Sequence, residues 1–123
     1  MPEDSPPDKK VLKLHTDLQK AESAMLTQIR TRKIGFAQFL LQRNVPGIIT
    51  AQCICGGGQE TARHVALFCS IEQDRRPQLR TNQGVDYRLL IGTPKGAKVI
   101  TGWMIRSGRL GQFSLAKSLL YNE

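Results

Sequence analysis

Hydrophobic residues recur along the first third of the chain at spacings that fit a helix. Leu14, Leu18, Ala21, Met25 and Ile29 follow one another at intervals of four, three, four and four. One apolar stripe therefore runs down one side, while Lys13, Asp17, Lys20 and Glu22 stay largely outside. Asp8 supplies an N-cap ahead of Lys9, which makes the expected helix roughly 20 residues, or about 30 Å, long. Its first turns overhang a small domain and offer a surface for self-association or a protein partner. Residues 30–35 lower the helix propensity, and Phe36, Phe39 and Leu40 then restart a short apolar helical face ending near Asn44. Pro46-Gly47 marks a turn in the connector that follows.

The second half has its own start and stop signals. Glu60 sits in the first turn of a short helix expected over residues 59–68, with Val65 and Phe68 available to face a core. Residues 72–80 alternate in charge, with a helix broken or started at Pro77, and residues 81–84 read as a loop. Tyr87, Leu89, Leu90 and Ile91 offer a buried turn. Thr93 followed by Pro94 is an N-cap with a first-position proline, opening a helix to about Arg106 that carries Val99, Ile100, Trp103 and Met104 on one face. Gly108 ends it, and a last helix around residues 110–120 packs Phe113, Ala116, Leu119 and Leu120 to complete a C-terminal helical pair. No alternating stretch is long enough to demand a sheet, so the fold class is mainly α.

All three cysteines and one of the two histidines fall within seventeen positions, as Cys53-x-Cys55-x8-His64-x4-Cys69. Three thiols and an imidazole are the donor inventory of a closed tetrahedral zinc site, and a full set of four protein ligands leaves no position for a substrate water. The expected cofactor is one structural Zn2+. Gly56, Gly57 and Gly58 permit the chain to fold back after Cys55 and to aim backbone N–H groups at the sulfurs. Five positions turn a helical side chain by roughly 500°, so His64 and Cys69 cannot share one face and the helix must end before Cys69. Read singly, each cysteine is more commonly a buried apolar thiol and His64 a core histidine. The four together favour metal. A disulfide would leave one cysteine over, and Cys53 and Cys55 are poorly placed to bridge.

A length of 123 residues and a formal charge of +8 narrow the picture further. An acidic, Pro-rich tail at residues 1–7 is expected to be disordered, with residues 8–123 forming a single helical domain whose zinc-binding knuckle spans 53–69. The start does not read as a signal peptide and no run of roughly 18 apolar residues exists, which points to an intracellular protein, nuclear or cytoplasmic, without a membrane partner. Residues 23–59 carry Arg30, Arg32, Lys33 and Arg43 with no acid, and residues 87–122 carry six more cations, again with none. Such stretches suit phosphate contacts, and the best cluster is Arg30, Arg32 and Lys33, joined by Arg63 from the zinc segment. The plainer alternatives are solvated helix faces, or a structural pairing of Arg30 with an acid such as Glu60.

The run Leu26-Thr-Gln-Ile-Arg-Thr-Arg-Lys-Ile-Gly-Phe36, then Phe39-Leu40, Cys53-Ile-Cys-Gly56, Glu60-Thr-Ala-Arg-His64, Cys69 and Gly108-Arg-Leu-Gly-Gln-Phe113 resembles the C-terminal tail of fungal LINE-type (non-LTR) retrotransposon polyproteins. In those proteins the segment follows reverse transcriptase and RNase H domains. The resemblance implies a zinc-knuckle-like, nucleic-acid-binding appendage with Cys53, Cys55, His64 and Cys69 as ligands. The chain holds neither a Tyr-x-Asp-Asp polymerase motif nor room for a set of RNase H carboxylates, so neither activity carries over.

No P-loop or nucleophile elbow occurs, the acids form no recognisable carboxylate pair, and the remaining histidine, His15, reads as a surface residue of the first helix. The expectation is a non-enzyme with no small-molecule substrate. Two functional classes remain. One is a nucleic-acid-binding zinc module taking RNA or DNA; the other is a protein-interaction module, such as an effector-like fungal protein, whose zinc is purely structural.

Overall fold

The computed structural model describes residues 15, 18–80 and 84–121. In chain order its helices are α1 (Lys20–Thr31), α2 (Ala37–Gln42), α3 (Ala62–Leu67), α4 (Tyr87–Gly92), α5 (Pro94–Arg106) and α6 (Ser114–Tyr121). Single 3-10 turns lie at Ser70–Glu72, Arg76–Leu79 and Gly111–Phe113. Among the described residues there is no strand, and Gln52 and Gln59 form an isolated antiparallel bridge. The mainly α architecture matches the sequence pattern. The expected disorder of residues 1–7, the Asp8 cap and most of the 81–84 loop lie outside the described residues.

Helix α5 has the strongest local start and occupies the middle of the structure. The Thr93 hydroxyl accepts from the Gly96 N–H at 3.0 Å and Pro94 takes the first turn, where no N–H is needed. Instead of one apolar face, the helix shows burial all round: Ile100, Thr101, Gly102, Trp103, Met104 and Ile105 are buried in succession. A helix that other elements contact on several sides has no free face to keep polar, and α5 packs against α1, α4, α6 and the Arg76–Leu79 turn. Thr101 is tolerated there because its hydroxyl donates to the Ala97 carbonyl at 2.7 Å. Gly96 is what lets α4 and α5 close together, since a Cβ at that position would lie 2.6 Å from Leu90 Cα.

Helix α1 begins at Lys20 rather than continuing from Lys9. Gln19 is extended (φ −67°, ψ 162°) and its N–H donates to Glu22 Oε1 at 2.9 Å, so a glutamine cap with glutamate three positions on wins over the apolar periodicity. His15 consequently lies in the turn before the helix, half-buried. Met25 and Ile29 face the core as expected, joined by Leu26.

Glu22 was expected outside and is instead 1 % exposed. It accepts from Lys98 Nζ at 2.8 Å and from the Tyr121 hydroxyl at 2.6 Å, tying α1 to α5 and α6. Gly102 leaves the room this needs, because a Cβ there would crowd the Tyr121 hydroxyl at 3.3 Å. The Arg106 guanidinium lies 4.9 Å over the Tyr121 ring and holds it in place. Helix α6 keeps Phe113 buried ahead of its start, whereas Leu119 is 73 % exposed and Leu120 is also outside, contrary to the expected packing. The 3-10 turn at Gly111–Phe113 resets the phase of the apolar stripe and points Leu119 outward.

The 70–80 segment is fastened to α5 by Arg75 and Trp103. Trp103 Nε1 donates to the Arg75 carbonyl at 2.9 Å, Arg75 Nη2 donates to the Trp103 carbonyl at 2.8 Å, and the guanidinium stacks 4.6 Å from the indole. Its other arm pairs with buried Glu72 at 2.9 Å.

Burial alone would raise the pKa of Glu22, but the hydrogen bonds from Lys98, Tyr121 and Gln19 outweigh it and hold the carboxyl below its ordinary value of 4.5. A depressed folded-state pKa contributes stability that is present above the unfolded pKa and lost as pH falls through the folded one. Glu22→Gln is therefore expected to cost about 2 kcal/mol at pH 7 and progressively less on acidification below pH 4.5, read by urea unfolding across that range.

Candidate metal centre

The knuckle begins as a short two-stranded loop. Glu60 N–H donates to the Ala51 carbonyl at 2.8 Å and Cys53 N–H to the Gly58 carbonyl at 2.7 Å, which brings the two arms together around the glycines. Gly56 (φ +79°) and Gly58 (φ +147°) adopt backbone angles that L side chains rarely reach. The reversal turns the Gly57 N–H onto Cys55 Sγ at 3.3 Å, as the glycine triplet suggests.

Pairing of Gln59 with Gln52 delays the following helix, which starts at Ala62 rather than Gln59. Thr61 caps it, its hydroxyl accepting from the His64 N–H at 3.1 Å. His64 lies on the inner side and is buried, together with Val65. The helix then stops: Phe68 and Cys69 N–H groups both donate to the His64 carbonyl at 2.8 Å, and this tightened end swings Cys69 back toward the cluster. Phe68, expected in the core, is 63 % exposed as a consequence. Arg76 secures the outgoing chain, its Nε donating to the Ala66 carbonyl at 2.9 Å and another guanidinium nitrogen to the Cys69 carbonyl.

Cys53, Cys55, His64 and Cys69 thus meet, their donor atoms all within 4.8 Å of one another. Cys53 Sγ and Cys69 Sγ are 3.7 Å apart, and Cys55 Sγ is 3.2 Å from His64 Nε2. A tetrahedral ion with metal–sulfur bonds of about 2.3 Å places its sulfurs about 3.8 Å apart and a sulfur and a nitrogen about 3.5 Å apart. The four residues can hold a metal ion. The Gly57 N–H, and then the hydrogen bond to His64, lower the Cys55 pKa to about 6, which makes a thiolate ligand at neutral pH. Burial pushes the Cys69 thiol up and so opposes its ionisation.

One component of the centre was not legible in the sequence. Arg109, with only 10 % of its side chain exposed, places Nη2 at 3.3 Å from Cys53 Sγ, 3.8 Å from Cys69 Sγ and 3.4 Å from Glu60 Oε2. Burial works against its charge, but the sulfurs of Cys53 and Cys69 and the Glu60 carboxylate outweigh it and raise its pKa. With a divalent ion bound, three thiolates and an imidazole would leave one net negative charge, which the Arg109 guanidinium is placed to neutralise. Glu60 in turn accepts from the Ala37 N–H at 2.8 Å, at the start of α2. Arg109 lay hidden among the six cations of residues 87–122; a position 40 residues from Cys69 carries no local signal of contact.

Beside the centre runs a cleft of about 410 Å3 between α1, α2, α3 and α4. Arg30, Arg32 and Arg63 all line it, and Lys33 does not. Arg30 donates to the Ile91 carbonyl near the end of α4, and Glu60 pairs with Arg109, so the alternative Arg30–Glu60 pairing is not formed. Arg32, in the left-handed region (φ +62°), ends α1. Arg63 lies 5.9 Å from the centroid of the Phe68 ring. Burial raises the pKa of Tyr87, which also lines the cleft, while Arg32 and Arg63 act in the opposite direction.

Comparison with protein-family models, curated proteins and solved structures finds no match to this chain.

Arg109→Ala is expected to weaken metal binding about ten- to a hundredfold, with Arg109→Lys intermediate, measured by competition with a chromogenic chelator at pH 7.

Proposed function

We propose that the chain is a non-catalytic zinc module that binds nucleic acid through the arginines beside its metal centre. Zinc suits the donor set: a d10 ion accepts three thiolates and an imidazole in a tetrahedron without redox chemistry, and four protein donors leave it structural. Cys53, Cys55, His64 and Cys69 would hold it, and its charge would supply the ionisation that burial of Cys69 opposes. Such sites contribute on the order of 10 kcal/mol to folding in small modules.

The observation that carries the nucleic-acid reading is the convergence of Arg30, Arg32 and Arg63 on one cleft built against α3, the helix that carries His64. Among the described residues no carboxylate pairs with any of the three, while the ion pairs that do form use Arg75, Lys98 and Arg109. Unpaired guanidiniums at +8 overall charge favour a polyanion. Lys33, next to Arg32, would contribute from outside the cleft. The resemblance to the tail of LINE-type retrotransposon polyproteins agrees with this reading and is the ground for proposing a retrotransposon origin.

A second reading, a protein-interaction module, is favoured by the exposed apolar residues Leu115 and Leu119 on α6, at 70 % and 73 % exposure and one turn apart.

Purified protein is expected to contain one zinc per chain by elemental analysis, and to unfold on chelation or in Cys69→Ser. A folded, metal-free protein would overturn the zinc assignment. Fluorescence anisotropy with labelled single-stranded RNA and duplex DNA should show salt-sensitive binding. Phosphate contacts from Arg32 and Arg63 give a log–log salt slope of about −1.4 on a single strand. Failure of both probes to bind at low salt rejects the nucleic-acid reading and leaves the interaction module.

A further inference from the structure

The cleft beside the metal centre differs from a plain basic surface in having an apolar floor. Ile29, Ile34, Phe36 and Ile91 line it together with the three arginines, and half-buried Phe39 and Tyr87 form part of its walls. A phosphate-gripping surface needs only cations, and burying hydrocarbon beside them gains nothing from phosphate alone. An amphipathic ligand, with a strongly anionic end and a flat apolar body, uses both. At about 410 Å3 the cleft falls at the lower end of the roughly 300–1,000 Å3 typical of small-ligand sites. It is a space for one such unit and not for a stacked, paired duplex.

We infer that this cleft seats one unpaired nucleotide of a single-stranded nucleic acid, its phosphate against Arg32 and Arg63 and its base against Phe39 and Tyr87. The inference rests on the nucleic-acid reading above and narrows it from a basic face to a defined subsite. Arg32 and Arg63 are exposed and free of carboxylate partners among the described residues, so both can meet a phosphate without breaking an ion pair. Arg30 is already engaged with the Ile91 carbonyl and acts chiefly as a wall that keeps the cleft positive. Gln38, also lining the cleft, offers an amide that can both donate to and accept from a base edge. The one carboxylate present, Glu60, is occupied by Arg109 and the Ala37 N–H and repels the phosphate less than a free acid would. A base has a π-face whatever its identity, so the subsite takes any of the four with modest preference.

An acidic or phosphorylated peptide would satisfy the cations but leave the aromatic walls without a flat partner. Seating a nucleotide demands that it be unstacked, and a single strand meets that demand at far lower cost than a duplex.

The test uses the full chain and a short single-stranded RNA carrying one 2-aminopurine, followed by fluorescence anisotropy and by the base-analogue emission. Wild-type protein is expected to bind the single strand at least about tenfold more tightly than a duplex of the same sequence, and to change the emission of one 2-aminopurine. Arg63→Ala and Arg32→Ala should each weaken binding about tenfold. Phe39→Leu, which keeps the apolar volume, should leave the anisotropy affinity within about tenfold and abolish the emission change. Lys117→Ala, an equal loss of charge outside the cleft, should alter affinity by no more than about twofold. Thermal unfolding of each variant at the wild-type midpoint verifies that all are folded.

Equal binding of duplex and single strand, Arg32→Ala and Arg63→Ala affinities that match Lys117→Ala, or an emission change that survives in Phe39→Leu would overturn the subsite while leaving the nucleic-acid reading intact. Displacement of the RNA by a phosphoserine peptide at lower concentration than by a nucleoside monophosphate would overturn it in favour of a peptide. A wild-type chain that binds no nucleic acid at all rejects both.

Discussion

The convergence of three sulfurs and one imidazole nitrogen on a space a single cation can fill governs the middle of this structure. Bringing Cys53, Cys55, His64 and Cys69 within 4.8 Å of one another obliges the chain to reverse at the glycines, to start a helix at Ala62 and to end it at Leu67. Each of those events has its own local cause in positive φ, the Thr61 cap or the shared His64 carbonyl. None of them alone would hold the sulfurs together against their mutual repulsion as thiolates. A cation among the donors would relieve that repulsion from within, as the Arg109 guanidinium beside Cys53 and Cys69 does from outside.

Arg109 and Glu60 carry the centre's influence outward. The guanidinium touches Cys53 and Cys69 on one side and Glu60 on the other, and Glu60 reaches the first N–H of α2. The same Glu60 lines the cleft in which Arg30, Arg32 and Arg63 meet. The Cys/His cluster, helix start and basic cleft are thus joined through one half-buried ion pair between residues 49 positions apart in the chain. Helix α5 is enclosed nearly all round, and Arg75 and Trp103 clamp the outgoing turns against it. The knuckle is therefore held to the core through Arg76, Arg75 and Trp103 as well as through its own donors.

Where local chemistry is strong, sequence and structure agree closely. Thr93-Pro94 opens a helix that ends at Arg106, and the rotation between His64 and Cys69 forces a helix end just where the chain turns back. Where local signals compete, the short-range hydrogen bond prevails over periodicity: the Gln19–Glu22 cap sets the start of α1, and the Gln52–Gln59 bridge postpones α3. The outward placement expected for Glu22, and the inward placement of Phe68, Leu119 and Leu120, follow from helix phase alone and fail for one reason. Phase says which residues share a side, but not how many sides a neighbour covers or where a 3-10 turn shifts the register.

The sequence by itself determined the helical class, the four residues able to hold a metal ion and the cluster of arginines near the end of α1. Those features depend on residue type and on spacing within a turn or a loop, both of which are written locally. Only the tertiary structure decided that α5 is enclosed, that Glu22 is a buried tie between three helices, that Arg109 sits over the sulfurs, and that Lys33 stays out of the cleft while Arg63 enters it. Each of these is a contact between residues far apart in the chain, and a charged side chain keeps the same local appearance whether it ends in solvent or against a partner that burial has brought to it.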